Sequence, residues 1–191
     1  MAENYYLRFG NMSKIGNKLI PVPSTVNVSI NGSEVSVKGK EGEMKIILPI
    51  SLSAVNENGF ITVKRLNEKS DTKALHGLFR SIISNAVVGS ETPWEKKLEV
   101  VGTGFNVKAQ GEDLVFKVGY SHPVIFKKIP KVTFTVNGTN KVTLKSVDKQ
   151  LVGEVAYKVK ILKKPDAYKG KGIKYENEKL RIKPGKKAKT A

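Results

Sequence analysis

Apolar and polar residues alternate from Val26 to Ile30, the period of a strand with one buried face. Asn31-Gly32 follows as a hairpin turn, because both residues tolerate positive φ. Glu34 to Lys38 is the returning strand, Met44 to Leu48 a third, and Phe60 to Val63 a fourth after Asn58-Gly59, which together predict an antiparallel meander. Ser70-Asp71-Thr72 then opens a helix. Ala74, Leu75, Leu78, Phe79, Ile82, Ile83, Ala86 and Val87 recur on one face of it, and Gly89 is expected to close it.

After Pro93-Trp94 the same order of patterns returns. Alternating segments run over Leu98–Val101, Phe105–Lys108, Leu114–Val118, Val132–Val136 and Val142–Leu144, and Ser146 to Leu162 reads as a second helix facing inward through Leu151, Val152, Val155, Ala156, Val159 and Leu162. The two helices align at a constant offset, Ser70 with Ser146, Lys73 with Lys149, Leu75 with Leu151 and Gly77 with Gly153, inside a duplicated order of elements. The expected fold class is α+β: two similar domains, each an antiparallel sheet packed on one main helix, followed by a basic C-terminal tail. The boundaries read as an extension over 1–11, domains over 12–92 and 93–163, and a tail over 164–191.

Charge changes this picture by dividing the halves. Residues 1–92 carry eleven Lys/Arg and eight Asp/Glu, a balance of +3, whereas residues 93–191 carry 23 and nine, a balance of +14. The last 29 residues alone hold +8, so a polyanionic partner is expected at the C-terminal half. The absence of cysteine excludes disulfides, thiol nucleophiles and thiolate metal sites, and two histidines leave little for another metal site. The start lacks the apolar segment of a secretory signal and no apolar run approaches the roughly 20 residues of a spanning helix, which predicts a cytoplasmic protein with no membrane partner. Asn27-Val28-Ser29 and Asn137-Gly138-Thr139 match a glycosylation pattern that such a location leaves unused.

Little in the chain suggests catalysis. Gly102-Thr103-Gly104 precedes a strand where a dinucleotide loop needs a helix, so it reads as a bend or bulge; Gly170-Lys171-Gly172 lacks the spacing of a P-loop. His76 lies in the first helix, and His122 sits in the proline-fixed turn Ser121-His122-Pro123 without a nucleophile and orienting acid beside it. No catalytic residue, metal, cofactor or small-molecule substrate is expected.

The segment Pro165-Asp166-Ala167-Tyr168-Lys169-Gly170-Lys171-Gly172-Ile173 is the most distinctive. Lysines spaced by glycines suit a backbone lying close to a polyanion, and Tyr168 and Tyr175 offer rings for stacking on an unpaired base. Followed by Lys174-Tyr175, it closely resembles the signature of the bacterial-type large-subunit ribosomal protein L-six family. Val100 to Phe105, Gly119 to Val124, Asp148 to Ala156, Ser13 to Lys18 and Ile20 to Pro23 resemble that family too.

The resemblance implies a duplicated two-domain α+β protein without catalytic activity, bound on the ribosome to large-subunit ribosomal RNA near the factor-binding region and the sarcin-ricin loop, with neighbouring large-subunit proteins as further partners. Carried over by position, the implied RNA contacts are Lys163, Lys164, Tyr168, Lys169, Gly170, Lys171, Gly172, Lys174 and Tyr175, with Arg181 and Lys183 adding charge and Ser121, His122 and Pro123 as secondary candidates. Family members start near Met12, so residues 1–11 are expected to be an extension dispensable for RNA binding. The competing reading of the residues is a non-ribosomal RNA-binding or RNA-chaperone module using the same basic segment.

Overall fold

In the computed structural model, which describes residues 14–185, the alternating segments of the first half fold as antiparallel strands in two sheets instead of one meander. The expected extension over residues 1–11 and the final lysines Lys186, Lys187 and Lys189 lie outside the described residues. The chain divides between Pro93 and Trp94 into two units.

In the first unit, β2 (Asn27–Asn31), β3 (Glu34–Lys38) and β4 (Glu43–Ile47) form one sheet in that order. Pairing of Val28 with Val37 and Ile30 with Val35 puts the apolar positions on one face. The chain then turns at Pro49, which has no amide to continue the ladder, and Leu52 N–H donates to the Pro49 carbonyl at 2.9 Å. A second sheet follows in the order β1 (Ile20–Pro21), β6 (Phe60–Arg65), β5 (Leu52–Glu57), so the run preceding Asn58-Gly59 is a strand that the alternation reading did not include.

Helix α1 (Ser70–Glu91) packs against β1, β3, β4 and β6, and Ile20, Val35, Val37, Ile61 and Ile83 close the core beneath it. Gly89 does not end this helix. The Thr92 amide still bonds to Val88 O at 2.8 Å, and the chain becomes extended at Thr92, before Pro93. The buried stripe is narrower than the spacing predicts, for Ala74 and Leu78 are exposed while His76 is buried with a ring nitrogen 2.8 Å from Val63 O.

The second unit repeats this strand order. Its first sheet runs β11 (Thr133–Asn137), β12 (Lys141–Ser146), β7 (Trp94–Val101), and its other sheet is β8 (Asn106–Gln110), β9 (Asp113–Lys117), β10 (Val124–Phe126). Thus β7, β11 and β12 are arranged as β1, β5 and β6 are, and β8–β10 as β2–β4. Helix α2 (Lys149–Leu162) follows, starting later than Ser146 because Asp148 is the N-cap, its carboxylate accepting from Gln150 N at 2.8 Å.

One element has no counterpart among the described residues of the first unit. Residues 172–175, expected within a trailing tail, form strand β13 (Gly172–Tyr175), which pairs with the free edge of β7 and buries Ile173 completely. Placing an isoleucine side chain there contributes about 1.5–3 kcal/mol, which offsets part of the cost of ordering the four-residue strand, the ladder with β7 adding to it. The segment expected as a tail from residue 164 is therefore anchored at 172–175 to the β11–β12–β7 sheet.

Candidate nucleic-acid interface

Between α2 and β13 the chain makes a tight loop, and Asp166 organises it. The Asp166 carboxylate accepts from the Lys169 amide at 2.8 Å and the Tyr168 amide at 3.3 Å, while its own N–H donates to Lys171 O at 2.9 Å and its carbonyl accepts from Gly170 N at 3.0 Å. These amide bonds, Lys169 first, hold the carboxyl below the usual aspartate range, with the Lys169 charge adding to them. The turn is an Asx-type device: the side chain takes the place of a backbone partner and leaves Tyr168 and Lys169 at an exposed tip.

The glycines serve the protein's own packing. Gly170 and Gly172 are both buried, so neither offers open backbone to a ligand as their spacing suggested. A Cβ on Gly172 would lie 2.7 Å from Lys164 O and from the Pro165 backbone, at a φ of 151°, and the Ile173 amide bonds to Lys163 O at 2.8 Å. Only glycine lets β13 pass this close to the start of the loop.

The chain returns to the same place after β13. Lys183 N–H donates to Ala167 O at 2.8 Å, and Leu180 and Ile182 reach to within about 3.6 Å of where a Gly170 Cβ would be. Arg181 and Lys183 are exposed beside the loop. On its other side, Lys163 Nζ lies 4.5 Å over the Tyr120 ring, whose hydroxyl donates to Leu162 O at 2.9 Å. Tyr120 stacks with His122 at 6.5 Å between centroids, so the exposed turn Ser121-His122-Pro123 sits next to Lys163, and Lys171 Nζ reaches Thr103 Oγ1 at 3.4 Å.

The fold thus gathers Lys163, Lys164, Tyr168, Lys169, Lys171, Arg181 and Lys183 with the Ser121–Pro123 turn. Two sequence candidates stand apart from that cluster. Lys174, opposite Glu99 in the ladder, pairs with its carboxylate at 3.3 Å. Tyr175 is half-buried against the core with Lys160 Nζ 4.6 Å and Lys96 Nζ 5.7 Å from its ring centre, which occupies the face that stacking would need. Glu178 completes this network, accepting from Lys160 at 2.6 and 2.8 Å and from Tyr175 N at 3.1 Å; the Lys160 bond chiefly keeps its carboxyl below the ordinary value.

Sequence reasoning passed over Asp166 as the keystone, although an aspartate after proline in a turn is a recognisable signal. The ensemble is a cationic edge with two exposed tyrosines, Tyr120 beside Lys163 and Tyr168 at the loop tip, an arrangement whose chemistry suits a polyanion. The family model described as Ribosomal protein L6 matches residues 22–89 and 101–176. The chain is 44% identical over 175 residues, 92% of its length and 98% of the relative's, to the "Large ribosomal subunit protein uL6" of Syntrophomonas wolfei subsp. wolfei (strain DSM 2245B / Goettingen). The chain belongs to the ribosomal protein L6 family.

Proposed function

We propose that this chain is a structural, non-catalytic component of the large ribosomal subunit in the cytoplasm, and that it holds large-subunit ribosomal RNA through the loop from Lys163 to Lys171 and the returning Arg181 and Lys183. The observation that carries this reading is the Asp166-ordered loop, which projects Tyr168 and Lys169 outward from a fixed base. Because the loop is already ordered, less conformational entropy is lost on binding than with a solvated tail. The lysines neutralise phosphates and release counterions, and Tyr168, 59% exposed, is placed for stacking. Contact near the factor-binding region and the sarcin-ricin loop, and with neighbouring large-subunit proteins, is part of the same proposal, and family membership supports it. An internal duplication is supported by the shared strand order and by the family match in both halves.

Lys174 and Tyr175 enter this proposal as supports of β13, with their contribution to RNA reduced by their internal partners. The test is a salt titration of the full chain on purified large-subunit RNA. A Lys164→Ala, Lys169→Ala, Arg181→Ala variant is expected to lower the magnitude of the log K against log salt slope by about 2–3, at roughly 0.7–0.9 per lost contact. An unchanged slope and affinity in a folded variant would overturn the site. Co-sedimentation in high-salt washes separates the ribosomal reading from a free RNA-binding or RNA-chaperone module, which would leave the large subunit.

A further inference from the structure

The outer face of the sheet β8–β9–β10 carries a second group of cations that the loop does not account for. Lys108 and Lys117 line a shallow groove of about 220 Å³ with Asn106, Gln110, Ala109 and Val115. Asn106 lies opposite Lys117 in the ladder and Lys108 opposite Val115, so the two lysines are diagonal neighbours, about 7–8 Å apart at the backbone. Lys127 follows β10 at the adjacent edge, and Ile125, opposite Val115, is 58% exposed. Among the described residues, none of Lys108, Lys117 and Lys127 has a carboxylate within ion-pair distance. Lys128, Lys141, Lys145 and Lys174 of this unit do, with Glu112, Glu176, Glu95 and Glu99, while Lys96 and Lys97 on β7 do not.

The first unit supplies an internal control. The corresponding face, on β2–β3–β4, presents Lys38 and Lys45 with Glu34 and Glu43, and is neutral. Lys45 pairs with Glu34 at 3.4 Å and Ser36 Oγ donates to Glu43 at 3.1 Å, so that face satisfies itself. The same topology therefore carries a neutral face in one unit and a net cationic one in the other, where the one carboxylate, Asp113 opposite Gln110, is engaged by the Lys128 amide at 2.7 Å and the Asn106 and Gln110 amides are uncommitted. The cationic face is also continuous with the loop: the turn before β8 meets Lys171 through Thr103, and the connection between β9 and β10 meets Lys163 through Tyr120.

We infer that the outer face of β8–β9–β10 is a second RNA-binding surface, one that takes the sugar-phosphate backbone of a helical RNA segment: Lys108, Lys117 and Lys127 contact phosphates, and the Asn106 and Gln110 amides hydrogen-bond ribose 2′-hydroxyls. No aromatic side chain stands on this face, so bases are not stacked there and recognition is of backbone and shape. The inference rests on the RNA-binding reading of the chain but concerns residues separate from the loop.

The experiment compares the full chain with Lys108→Ala, Lys117→Ala, Lys127→Ala and with Asn106→Ala, Gln110→Ala, using a labelled RNA hairpin, a DNA hairpin of the same sequence, and purified large-subunit RNA. All the substituted side chains are at least partly exposed, and the fluorescence of Trp94 in β7 checks that the unit is folded. The triple lysine variant is expected to lose about 2–3 from the salt slope on both RNAs, and the amide variant to lose preference for RNA over DNA while keeping the slope. If the triple variant binds as the parent does while the loop variant is weakened, the second surface is wrong and the loop reading stands. If neither variant changes binding, the RNA reading itself fails. An amide variant with an unchanged RNA preference would overturn the ribose contact.

Discussion

The two units share a strand order and differ in what their cations are doing. In the first, Arg65 is 97% buried at its side chain and donates to Glu68 at 3.0 Å, Lys73 joins the same carboxylate, Lys45 pairs with Glu34, and Arg80 spends its guanidinium on the carbonyls of Lys18 and Leu19 at 3.0 and 3.3 Å. Desolvation there keeps Arg80 below its ordinary pKa. In the second, the Asp166 loop and the returning Arg181 and Lys183 hold basic side chains outward, and Lys108, Lys117 and Lys127 at the β8–β10 face have no acidic partner among the described residues. One strand order thus carries an outer sheet face balanced by Glu34 and Glu43 in the first unit and a net cationic one in the second, and the difference between these two faces is made by where carboxylates stand.

The sharpest way to break this comparison is to remove β13, the element that only the second unit has among the described residues. Ile173→Ala is expected to cost about 2–5 kcal/mol, read as an early unfolding transition of the second unit by Trp94 fluorescence, with helix α1 retained by circular dichroism. A single concerted transition shifted for the whole chain would contradict the assignment. Next in size, Gly172→Ala forces a Cβ against the Lys164 and Pro165 backbone at an unfavourable φ, for an expected loss of about 1–3 kcal/mol and a weakened grip on RNA. Wild-type stability in that variant would show that the close approach relaxes freely.

Acidification probes the loop alone. The Asp166 carboxyl is depressed in the folded chain, so its contribution is complete above the unfolded carboxylate value of about 3.9 and is lost as pH falls through the lower folded value. Amide exchange at Lys169, corrected for the intrinsic rate, is expected to accelerate in that window below about pH 4. Asp166→Ala, which removes the acceptor, should expose the same amide already at neutral pH. Equal protection in both proteins at pH 7 would remove Asp166 from its organising role. Smallest of all, Lys45→Ala in the first unit breaks a surface pair worth about 0–1 kcal/mol, and should leave the RNA salt slope untouched; a drop comparable to that of the loop variant would erase the contrast between units.

Much of this was legible before folding was considered. Period-two alternation located β2, β3, β4, β6, the second half of β7, β8, β9, β11 and β12 but not β10, and the charge asymmetry pointed to the second half. What escaped was set by tertiary context. Strand β5 precedes a turn but carries Asn56 and Glu57 at its end, β1 spans two residues, and β13 holds one fully buried side chain inside a lysine-rich run, so its burial depends on the free edge of β7. Gly170 and Gly172 advertised flexibility, whereas distant atoms of Lys164, Pro165, Leu180 and Ile182 fix their role. The pairing of Lys174 with Glu99 spans the sheet, and local sequence holds no sign of it.

Photo-crosslinking of the full chain to purified large-subunit RNA, with the linked residues mapped by mass spectrometry, tests the central claim most directly. The account predicts crosslinks concentrated at Lys164, Tyr168, Lys169 and Arg181 and along Lys108 and Lys117, with few in residues 14–93. Crosslinks concentrated in residues 14–93, with the loop and the β8–β10 face unmarked, would contradict it.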